Sequence, residues 1–359
     1  MKILFFIESL YSGGKERRLV ELIKGLRKYP DIECELVLTR KEIHYKDIFS
    51  TGIKIHYIVR KYLKKDPGLF YLFYKICKKY KPDFIHAWGN MVAIYAIPAK
   101  ILLKIPLINN QIANAPLHVK GGLLSHKLIF PFSDLIIANS KAGLKAYNAP
   151  EKKSTVIYNG FNFDRIKNII NPFELKKEFN ITTKYVIGMV ASFTKLKDYS
   201  TYIKAANKVL IKNKDVTFLC IGAGNDKPYQ ELVVPENKNF VKFLGCKENV
   251  ESIINICDIG VLSTYTEGIS NSIVEFMALG KPIIATNGGG TKELVVNNIT
   301  GYLIPEKSFA NLTDKIITLI ENPTKILEMG RAGKKRIMEE FTIDKMIKQF
   351  LKIYNEINY

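Results

Sequence analysis

The sequence predicts an α/β protein built from two doubly wound domains. Short apolar runs alternate with longer amphipathic runs along most of the chain, which is the pattern of parallel strands joined by crossover helices. The 359 residues exceed what one hydrophobic core usually serves. A stretch with Gly and Pro, 159–179, separates two such series. We expect one domain over 1–165, a second over 166–340, and a closing helix over 341–359 that packs toward the first domain.

The first series opens with MKILFFIESL, which is similar to the start of a secretion signal. Its apolar run ends at Glu8, too early for the hydrophobic region of a signal, so we expect a buried first strand. The apolar run 91–108 is interrupted by two prolines and two lysines, which argues against a transmembrane helix. The predicted elements are, in order, strand 2–7, helix 16–28, strands 33–39 and 53–59, helix 69–80, and strands 83–88 and 135–140.

The second series has the same alternation. Its predicted elements are strand 185–191, helix 199–213, strands 216–222 and 259–264, helix 272–280 and strand 281–286. Sheets of this kind bind ligands beyond the carboxyl ends of their strands, so two such domains predict a cleft between those ends.

The formal net charge of +20 favours anionic partners: nucleic acid, phosphorylated ligands or an acidic membrane leaflet. The lysines are mixed with Ile and Asn, so a bias in genomic composition remains an alternative explanation. The five cysteines are odd in number and scattered. This argues against a disulfide framework or structural zinc and indicates a reducing compartment.

The stretch EGISNSIVEFM places Glu267 and Glu275 on either side of a small polar cluster. Ser272 and Glu275 match a capping box, which would give Glu275 a purely structural role. Alternatively, the cluster lies at the carboxyl end of a buried strand and begins a helix, where amides and the helix dipole attract phosphate. An acid beside phosphate is repulsive unless it points at neutral hydroxyls, so Glu275 is then expected to bond a ribose.

Three other turns support the second interpretation. The run 288–291, GGGT, follows the next strand and allows close approach of backbone to a ligand. Gly222 and Gly224 end another strand, but a third glycine is missing, so the dinucleotide fingerprint of a dehydrogenase is weak. Lys197 follows the first strand of its domain, where it either neutralises a diphosphate or is a solvated surface lysine.

The segment YTEGISNSIVEFMALGKPIIATNGGGTKELV resembles the signature of the family 4 retaining glycosyltransferases, with its two glutamates separated by seven residues. YSGGKERRLVELIKGL is similar to that family's glycine loop and first helix. The other similar stretches are 139–144, 156–166, 188–198, 220–225 and 243–250, so the resemblance covers nearly the whole chain. It implies a GT-B fold: two Rossmann-like domains facing across a cleft, the N-terminal one binding the acceptor and the C-terminal one the nucleotide sugar.

Carried over by position, the resemblance implies that Glu267 and Lys197 are the catalytic residues and that Glu275 bonds the ribose hydroxyls. Glu267 would lie against the donor sugar, and Lys197 with the amides of residues 268–270 would hold the diphosphate. The implied donor-binding set is Gly14, Ser192, Lys195, Gly222, Gly224, Lys247, Gly268, Ile269, Ser270, Asn271 and Glu275.

Within that set, Gly222 and Lys247 are expected near the base. Gly14, in the first domain, is expected to approach the phosphates across the cleft.

Two positions depart from the family pattern. Ser192 stands where the family usually has an arginine paired with the lysine, and Lys195 is a candidate for the missing charge. Trp88 stands where many relatives have a histidine beside the active-site floor. We expect His86 to alternate to the opposite side of the sheet from Trp88 and to be a core or strand-end residue.

The resemblance implies transfer with retention of configuration, in which a leaving phosphate oxygen accepts the proton of the acceptor. The sequence has no Asp-x-Asp, and its five histidines form no i, i+4 pair, so we expect neither a metal nor a cofactor. Preorganised donors at a helix start, together with Lys197, stabilise the leaving diphosphate instead. The expected donor is a hexose or N-acetylhexosamine linked to UDP rather than GDP.

The basic segment 61–82 alternates lysines with apolar residues. It is typical either of a helix that binds an anionic membrane surface or of a core-facing helix with solvated lysines. The resemblance to enzymes of bacterial surface-polysaccharide assembly (capsule and lipopolysaccharide) implies a glycan or lipid-linked acceptor. We expect a cytoplasmic protein on the inner face of the membrane. The acceptor-side candidates are Trp88 and, in the loop 109–127, Asn114 and His118.

Four other functions remain as alternatives. The charge suggests a nucleic-acid-binding protein, but no module of that kind is recognisable, and we expect no nucleic-acid partner. A nucleotide-sugar epimerase or a phosphorylase can share the architecture. A relative that binds the donor without transferring it is also compatible with Ser192 and Trp88.

Overall fold

The computed structural model describes residues 1–11, 13–59, 66–112, 114–115, 126 and 128–357. The chain divides into two compact units, one formed by Met1–Gly160 with Ile343–Tyr359 and the other by Phe161–Thr342. The boundary lies a few residues before the position predicted from sequence. The reason is that the Phe161 amide donates to the Phe341 carbonyl at 2.8 Å, which ties this residue to the end of the second unit.

The first unit contains a parallel sheet of seven strands in the order β3-β2-β1-β4-β5-β6-β7. The strands are β1 (Lys2–Ile7), β2 (Glu33–Leu38), β3 (Lys54–Tyr57), β4 (Phe84–Trp88), β5 (Leu107–Ile112), β6 (Leu135–Ala138) and β7 (Ser154–Val156). All described residues of β4 are buried, because helices cover both faces of a doubly wound sheet. The strand order reverses between β1 and β4, which is where such sheets bind ligands.

The helices of this unit pack on the two faces of the sheet. They are α1 (Gly14–Leu26), α2 (Asp47–Ser50), α3 (Gly68–Tyr80), α4 (Asn90–Leu103), α5 (Lys141–Ala146) and, from the end of the chain, α14 (Ile343–Ile357). Short 3-10 turns cover Phe130–Phe132 and Glu151–Lys153. α14 packs against α1, where a Cβ on Gly25 would lie 2.7 Å from Cγ1 of Ile347. The glycine thus permits the close approach of these two helices.

The start of the predicted acceptor loop was wrong, because residues 109–112 belong to strand β5. Asn109 pairs in register with Ala87 of β4 and Ile136 of β6, and its side-chain amide donates to Ser133 Oγ at 3.1 Å. Asparagine is rare in strands, but here a hydrogen-bonding partner satisfies part of the buried amide.

The second unit contains a parallel sheet of six strands in the order β10-β9-β8-β11-β12-β13. The strands are β8 (Tyr185–Val190), β9 (Val216–Ile221), β10 (Val241–Gly245), β11 (Ile259–Leu262), β12 (Ile283–Thr286) and β13 (Gly301–Ile304). The order reverses between β8 and β11, so the loops after these two strands flank the expected ligand position.

The helices of the second unit are α6 (Pro172–Glu178), α7 (Tyr199–Lys212), α8 (Lys227–Gln230), α9 (Val250–Ile256), α10 (Asn271–Ala278), α11 (Thr291–Leu294), α12 (Phe309–Ile320) and α13 (Pro323–Glu340). Two 3-10 turns cover Phe163–Ile166 and Pro235–Asn237. Two residues after the end of α10, Gly280 has a left-handed backbone with φ of +71°, a conformation that glycine adopts without steric cost. In the part of the chain that the structure describes, no helix is long and apolar enough to span a membrane.

Candidate functional site

Four loops of the second unit lie side by side at the carboxyl ends of β8, β9, β11 and β12. Lys197, after β8, forms an antiparallel bridge with Thr264, after β11. The Phe193 amide donates to the Ala223 carbonyl, after β9, at 2.7 Å. The Gly290 amide, after β12, donates to the Glu267 carbonyl at 2.9 Å. The topology therefore brings together the loops that the sequence singled out.

The two residues predicted to be catalytic are in direct contact. The Lys197 ammonium forms an ion pair with Glu267, and its Nζ lies 3.5 Å from Thr264 Oγ1. Both side chains are largely buried, so solvent screens their attraction less than it would on the surface. This pair places one positive and one negative charge beside the start of α10.

The polar cluster begins α10 as expected, but it does not form the capping box that was the alternative interpretation of Ser272 and Glu275. Ser270 is the N-cap, and its side chain accepts the Ile273 amide at 3.5 Å. Ser272 lies inside the first turn, with its Oγ 3.0 Å from Ser270 Oγ. The helix thus starts two residues earlier than the Ser272–Glu275 box requires, which leaves Glu275 in the second turn and without that capping role. Asn271 is the first helical residue.

Glu275 is buried, with 4% of its surface exposed, and is held by an arginine that the sequence analysis missed. Arg165 Nη2 lies 2.9 Å from Glu275 Oε1 and also forms an ion pair with Glu251 of α9. The Arg165 guanidinium lies over the Phe161 ring at 5.2 Å. The only indication of Arg165 in the sequence was its position inside the stretch 156–166 that resembles the family. That position did not indicate Glu275 as its partner.

The glycine turn after β12 packs directly on the turn that contains Glu267. A Cβ on Gly290 would lie 2.5 Å from the carbonyl carbon of Gly268, so only glycine fits without displacing backbone. Ile269, next in the chain, is buried. The two turns therefore support each other and fix the amides at the start of α10.

The loops after β8 and β9 are packed just as closely. A Cβ on Gly222 would lie 2.6 Å from the carbonyl carbon of Ala191, and Gly224 has a φ of +120°. Ser192 and Lys195 are exposed on the same loop as Lys197. The loops after β8 and β9 therefore hold each other in place beside Lys197.

Lys247, predicted near the base, follows β10 at one edge of the sheet. Its ammonium lies 5.6 Å from the centre of the Phe179 ring.

Tyr265, next to the Glu267 turn, has its pKa raised to about 12, chiefly by burial and then by Asp198. It is therefore a neutral hydroxyl near physiological pH.

In the first unit, Gly14 and Trp88 lie at the switch point of the sheet, since Gly14 begins α1 after β1 and Trp88 ends β4. Trp88 has 1% of its surface exposed, and its ring lies 5.3 Å from the Arg18 guanidinium and 6.1 Å from Phe350. The indole is thus part of the core under α1 and α14.

The prediction that His86 faces away from Trp88 was wrong. The two residues are two positions apart on β4, so their side chains share one face, and their ring centres are 5.1 Å apart. His86 is fully buried, as expected for a core residue, and its Nδ1 lies 2.8 Å from the Tyr354 hydroxyl. Burial, and then Arg18, hold the pKa of His86 well below its usual value of 6.5.

Two residues of the predicted acceptor loop meet at one tyrosine. The Tyr147 hydroxyl donates to Asn114 Oδ1 at 2.6 Å, and the His126 ring centre lies 4.3 Å from that of Tyr147. His118 lies outside the described residues. No group of three or more His, Cys, Asp or Glu that would hold a metal ion occurs among the residues described.

In a comparison with known protein families, each half of the chain matches a glycosyltransferase family. The family described as Glycosyl transferases group 1 matches residues 171–336, and Glycosyltransferase Family 4 matches residues 12–165. Together the two matches span most of the sequence and divide it near the boundary between the two units.

Full-length relatives support the same assignment. An uncharacterized glycosyltransferase of Methanocaldococcus jannaschii is 29% identical over 97% of this chain and 96% of its own length. A Campylobacter jejuni enzyme, named as an alpha-1,4-N-acetyl-D-galactosaminyltransferase acting on a diphospho-undecaprenol-linked saccharide, is 25% identical over 99% of both chains. The structure of Anabaena HepE in complex with UDP superposes with a TM-score of 0.86 at 21% identity, covering 99% of this chain and 100% of HepE. The chain therefore belongs to the family 4, group 1 glycosyltransferases and has the GT-B fold.

Proposed function

We propose that this glycosyltransferase transfers a hexose or N-acetylhexosamine from a UDP-linked donor, with retention of configuration, to a lipid-linked saccharide of bacterial surface-polysaccharide synthesis. The observation that carries the proposal is the Lys197–Glu267 pair at the start of α10, with Glu275 one turn further along. A cation and the backbone amides at a helix start suit a diphosphate, and a carboxylate suits the hydroxyls of the attached ribose.

The donor assignment rests on the site and on the relatives. The start of α10 offers backbone amides and a partial positive charge for a diphosphate, while Glu275 is suited to accept hydrogen bonds from ribose hydroxyls. HepE, which shares the fold, was solved with UDP. We assign the diphosphate to residues 268–270 with Lys197, and the ribose to Glu275.

The proposed reaction exchanges one bond for another at the anomeric carbon. The bond from that carbon to the nucleotide oxygen breaks, and a bond to an acceptor oxygen forms on the same face of the sugar. The acceptor proton passes to the leaving phosphate oxygen, so the protein need not supply a base. Lys197 and the amides of α10 stabilise the charge that builds on the diphosphate, and each such donor is worth roughly 3–4 kcal/mol. No metal is included in this scheme.

Glu267 is proposed as a sugar-binding and electrostatic residue. Its carboxylate pairs with Lys197, so a diphosphate bound by Lys197 would lie beside Glu267. A negative charge beside the anomeric carbon would then stabilise the positive charge that develops as the leaving group departs.

The lipid-linked acceptor rests on the Campylobacter relative, whose name specifies a diphospho-undecaprenol substrate. The exposed face of α3 offers a route to a membrane surface. That helix buries Leu69, Phe73 and Cys77 and exposes Tyr71 and Leu72. Lys75, Lys78 and Lys79 are exposed on the same helix, while the lysines at 61, 64 and 65 lie outside the described residues. We propose peripheral binding to the anionic inner leaflet.

A thermal-shift panel of UDP- and GDP-sugars in EDTA, followed by transfer assays on diphospho-undecaprenol-linked saccharides, tests the proposal. A ligand at one hundred times its Kd stabilises the fold by about 2.7 kcal/mol, which is measurable as a rise in melting temperature. We expect a UDP-sugar to give the largest shift and the NMR spectrum of the product to show retained configuration. Binding without transfer would favour the inactive-relative alternative, and an absolute need for divalent metal would contradict the scheme.

A further inference from the structure

We propose that Arg165 is the positioning residue for ribose recognition. From the 3-10 turn Phe163–Ile166, it holds the carboxylate of Glu275 on α10 in place. This inference rests on the proposed function, because it assigns a role to a residue that acts through Glu275. It concerns the second unit alone, in which all the participating side chains lie.

The geometry fixes the guanidinium from three directions. Arg165 lies in the 3-10 turn Phe163–Ile166, over the ring of Phe161, which is itself buried. Its Nη2 contacts Oε1 of Glu275 at 2.9 Å and, in a second ion pair, Oε1 of Glu251. A stacked, doubly paired guanidinium has little freedom, so it transmits a fixed position to the carboxylate.

The backbone around the arginine is anchored as well. The Phe161 amide donates to Phe341, the Asn162 side chain accepts the Asp164 amide, and the Ile170 amide donates to Ser252 Oγ at 3.1 Å. Ser252 is the neighbour of Glu251 on α9. The turn is thus tied both to the end of the unit and to the helix that supplies the second acid.

The charges explain why an arginine is needed at this point. Two largely buried carboxylates approach the same nitrogen, and without a cation between them they would repel each other. Glu275 would then turn away from its present position and would be a poorer acceptor for two neighbouring hydroxyls. Arg165 therefore keeps the carboxylate oriented.

The decisive experiment compares the affinities of UDP and 2′-deoxy-UDP by calorimetry in wild type, Arg165→Met, Arg165→Lys and Glu275→Gln. A hydrogen bond to a charged group supports discrimination of about tenfold to a hundredfold in favour of UDP. We expect Arg165→Met to reduce that ratio to within about threefold of unity and Glu275→Gln to do the same. Arg165→Lys retains the charge but not the planar, doubly paired guanidinium, so it should give an intermediate ratio.

Arg336→Met is the matched control. Arg336 also belongs to the second unit, also lies over a phenylalanine (Phe341, 5.5 Å) and also pairs with a glutamate (Glu340, 3.0 Å), but it makes no contact with Glu275 among those described. It should leave the UDP to 2′-deoxy-UDP ratio unchanged even if the melting temperature falls.

The outcomes separate the two levels of the argument. If Glu275→Gln loses the ratio and Arg165→Met keeps it, Arg165 is only structural and this inference is overturned. If Glu275→Gln keeps the wild-type ratio, the ribose assignment within the proposed function is itself refuted, and the inference falls with it. If Arg165→Met does not fold, Arg165→Lys decides: an intermediate loss of the ratio in a chain that melts cooperatively supports the proposal, and a ratio equal to that of Arg336→Met contradicts it.

Discussion

Replacing Gly290 by alanine should damage the candidate site through one steric contact. The backbone of Gly290 has φ of −77° and ψ of −4°, which alanine adopts freely, so the substitution introduces no backbone strain. Its new Cβ would lie 2.5 Å from the carbonyl carbon of Gly268, whereas such contacts are essentially never under 3.0 Å. The Gly268 turn must therefore move by about 0.5 Å or more, and the hydrogen bond from the Gly290 amide to Glu267 moves with it.

The size of the effect follows from that displacement. Overpacking of this kind costs about 1–3 kcal/mol of stability, or about 2–4 °C in melting temperature per kcal/mol for a domain of this size. A shift of this scale beside reacting atoms is expected to lower kcat/KM by about tenfold to a hundredfold. The assay is transfer kinetics with calorimetric melting of the same preparation.

Gly333→Ala provides the control for the general effect of adding a methyl group. Gly333 lies in α13 of the same unit, and its added Cβ would meet Met277 Cγ at 3.4 Å, an ordinary contact. Alanine is the better helix former, so this variant should keep full activity and gain up to about 1 kcal/mol. A Gly290→Ala enzyme with wild-type kinetics and melting temperature would show that the two turns do not depend on each other.

Three further predictions address other parts of the molecule. Glu267→Gln should lower kcat by about a hundredfold while UDP affinity stays within tenfold, measured by kinetics and calorimetry; near-full turnover would remove Glu267 from its proposed role. Because the pKa of His86 is held below 6.5, the unfolded chain binds the proton more readily, so the free energy of unfolding should fall as pH drops below 6.5, by up to about 1.4 kcal/mol per pH unit. Urea titrations at several pH values from about 5 to 7 give the free energy of unfolding at each pH. That free energy should depend less steeply on pH in His86→Phe than in wild type, and equal pH dependence in the two proteins would contradict the prediction. Lys75→Glu with Lys78→Glu should weaken sedimentation with anionic vesicles, at about 1 kcal/mol for each lysine lost, and a wild-type chain that stays in solution at low salt would refute membrane binding.

Elements with strong apolar patterns were predictable from the sequence. β9 is buried at every position and reads VTFLCI, and α7 has apolar residues at helical spacing. β5 was missed because Asn109 and Asn110 interrupt the pattern of LINNQI, and only its neighbours β4 and β6 make it a strand. Tertiary pairing overrides local propensity there.

The site was predictable in its loops and less so in its contacts. The strand ends that precede Lys197 and Glu267 are adjacent because the strand order reverses between β8 and β11. The sequence pattern predicts a doubly wound fold, but not this strand order. Arg165 and Glu275 are 110 positions apart, so no local pattern could pair them. The alternative capping box of Ser272 and Glu275 does not form, because Ser270, two residues earlier, is the N-cap of α10.

The ion pairs of the two signature glutamates would explain how an acidic turn receives the diphosphate of the proposed donor. Each acid has a basic partner within the protein: Glu267 pairs with Lys197, and Glu275 with Arg165. The negative charges are therefore balanced locally before a nucleotide arrives, and the dipole of α10 adds partial positive charge at the same place. Arg165 is stacked on Phe161 and forms two ion pairs, whereas Lys197 carries its charge on a compact ammonium at the end of a flexible side chain. Of the two cations, the arginine is therefore the more firmly held, and the lysine is the less restrained.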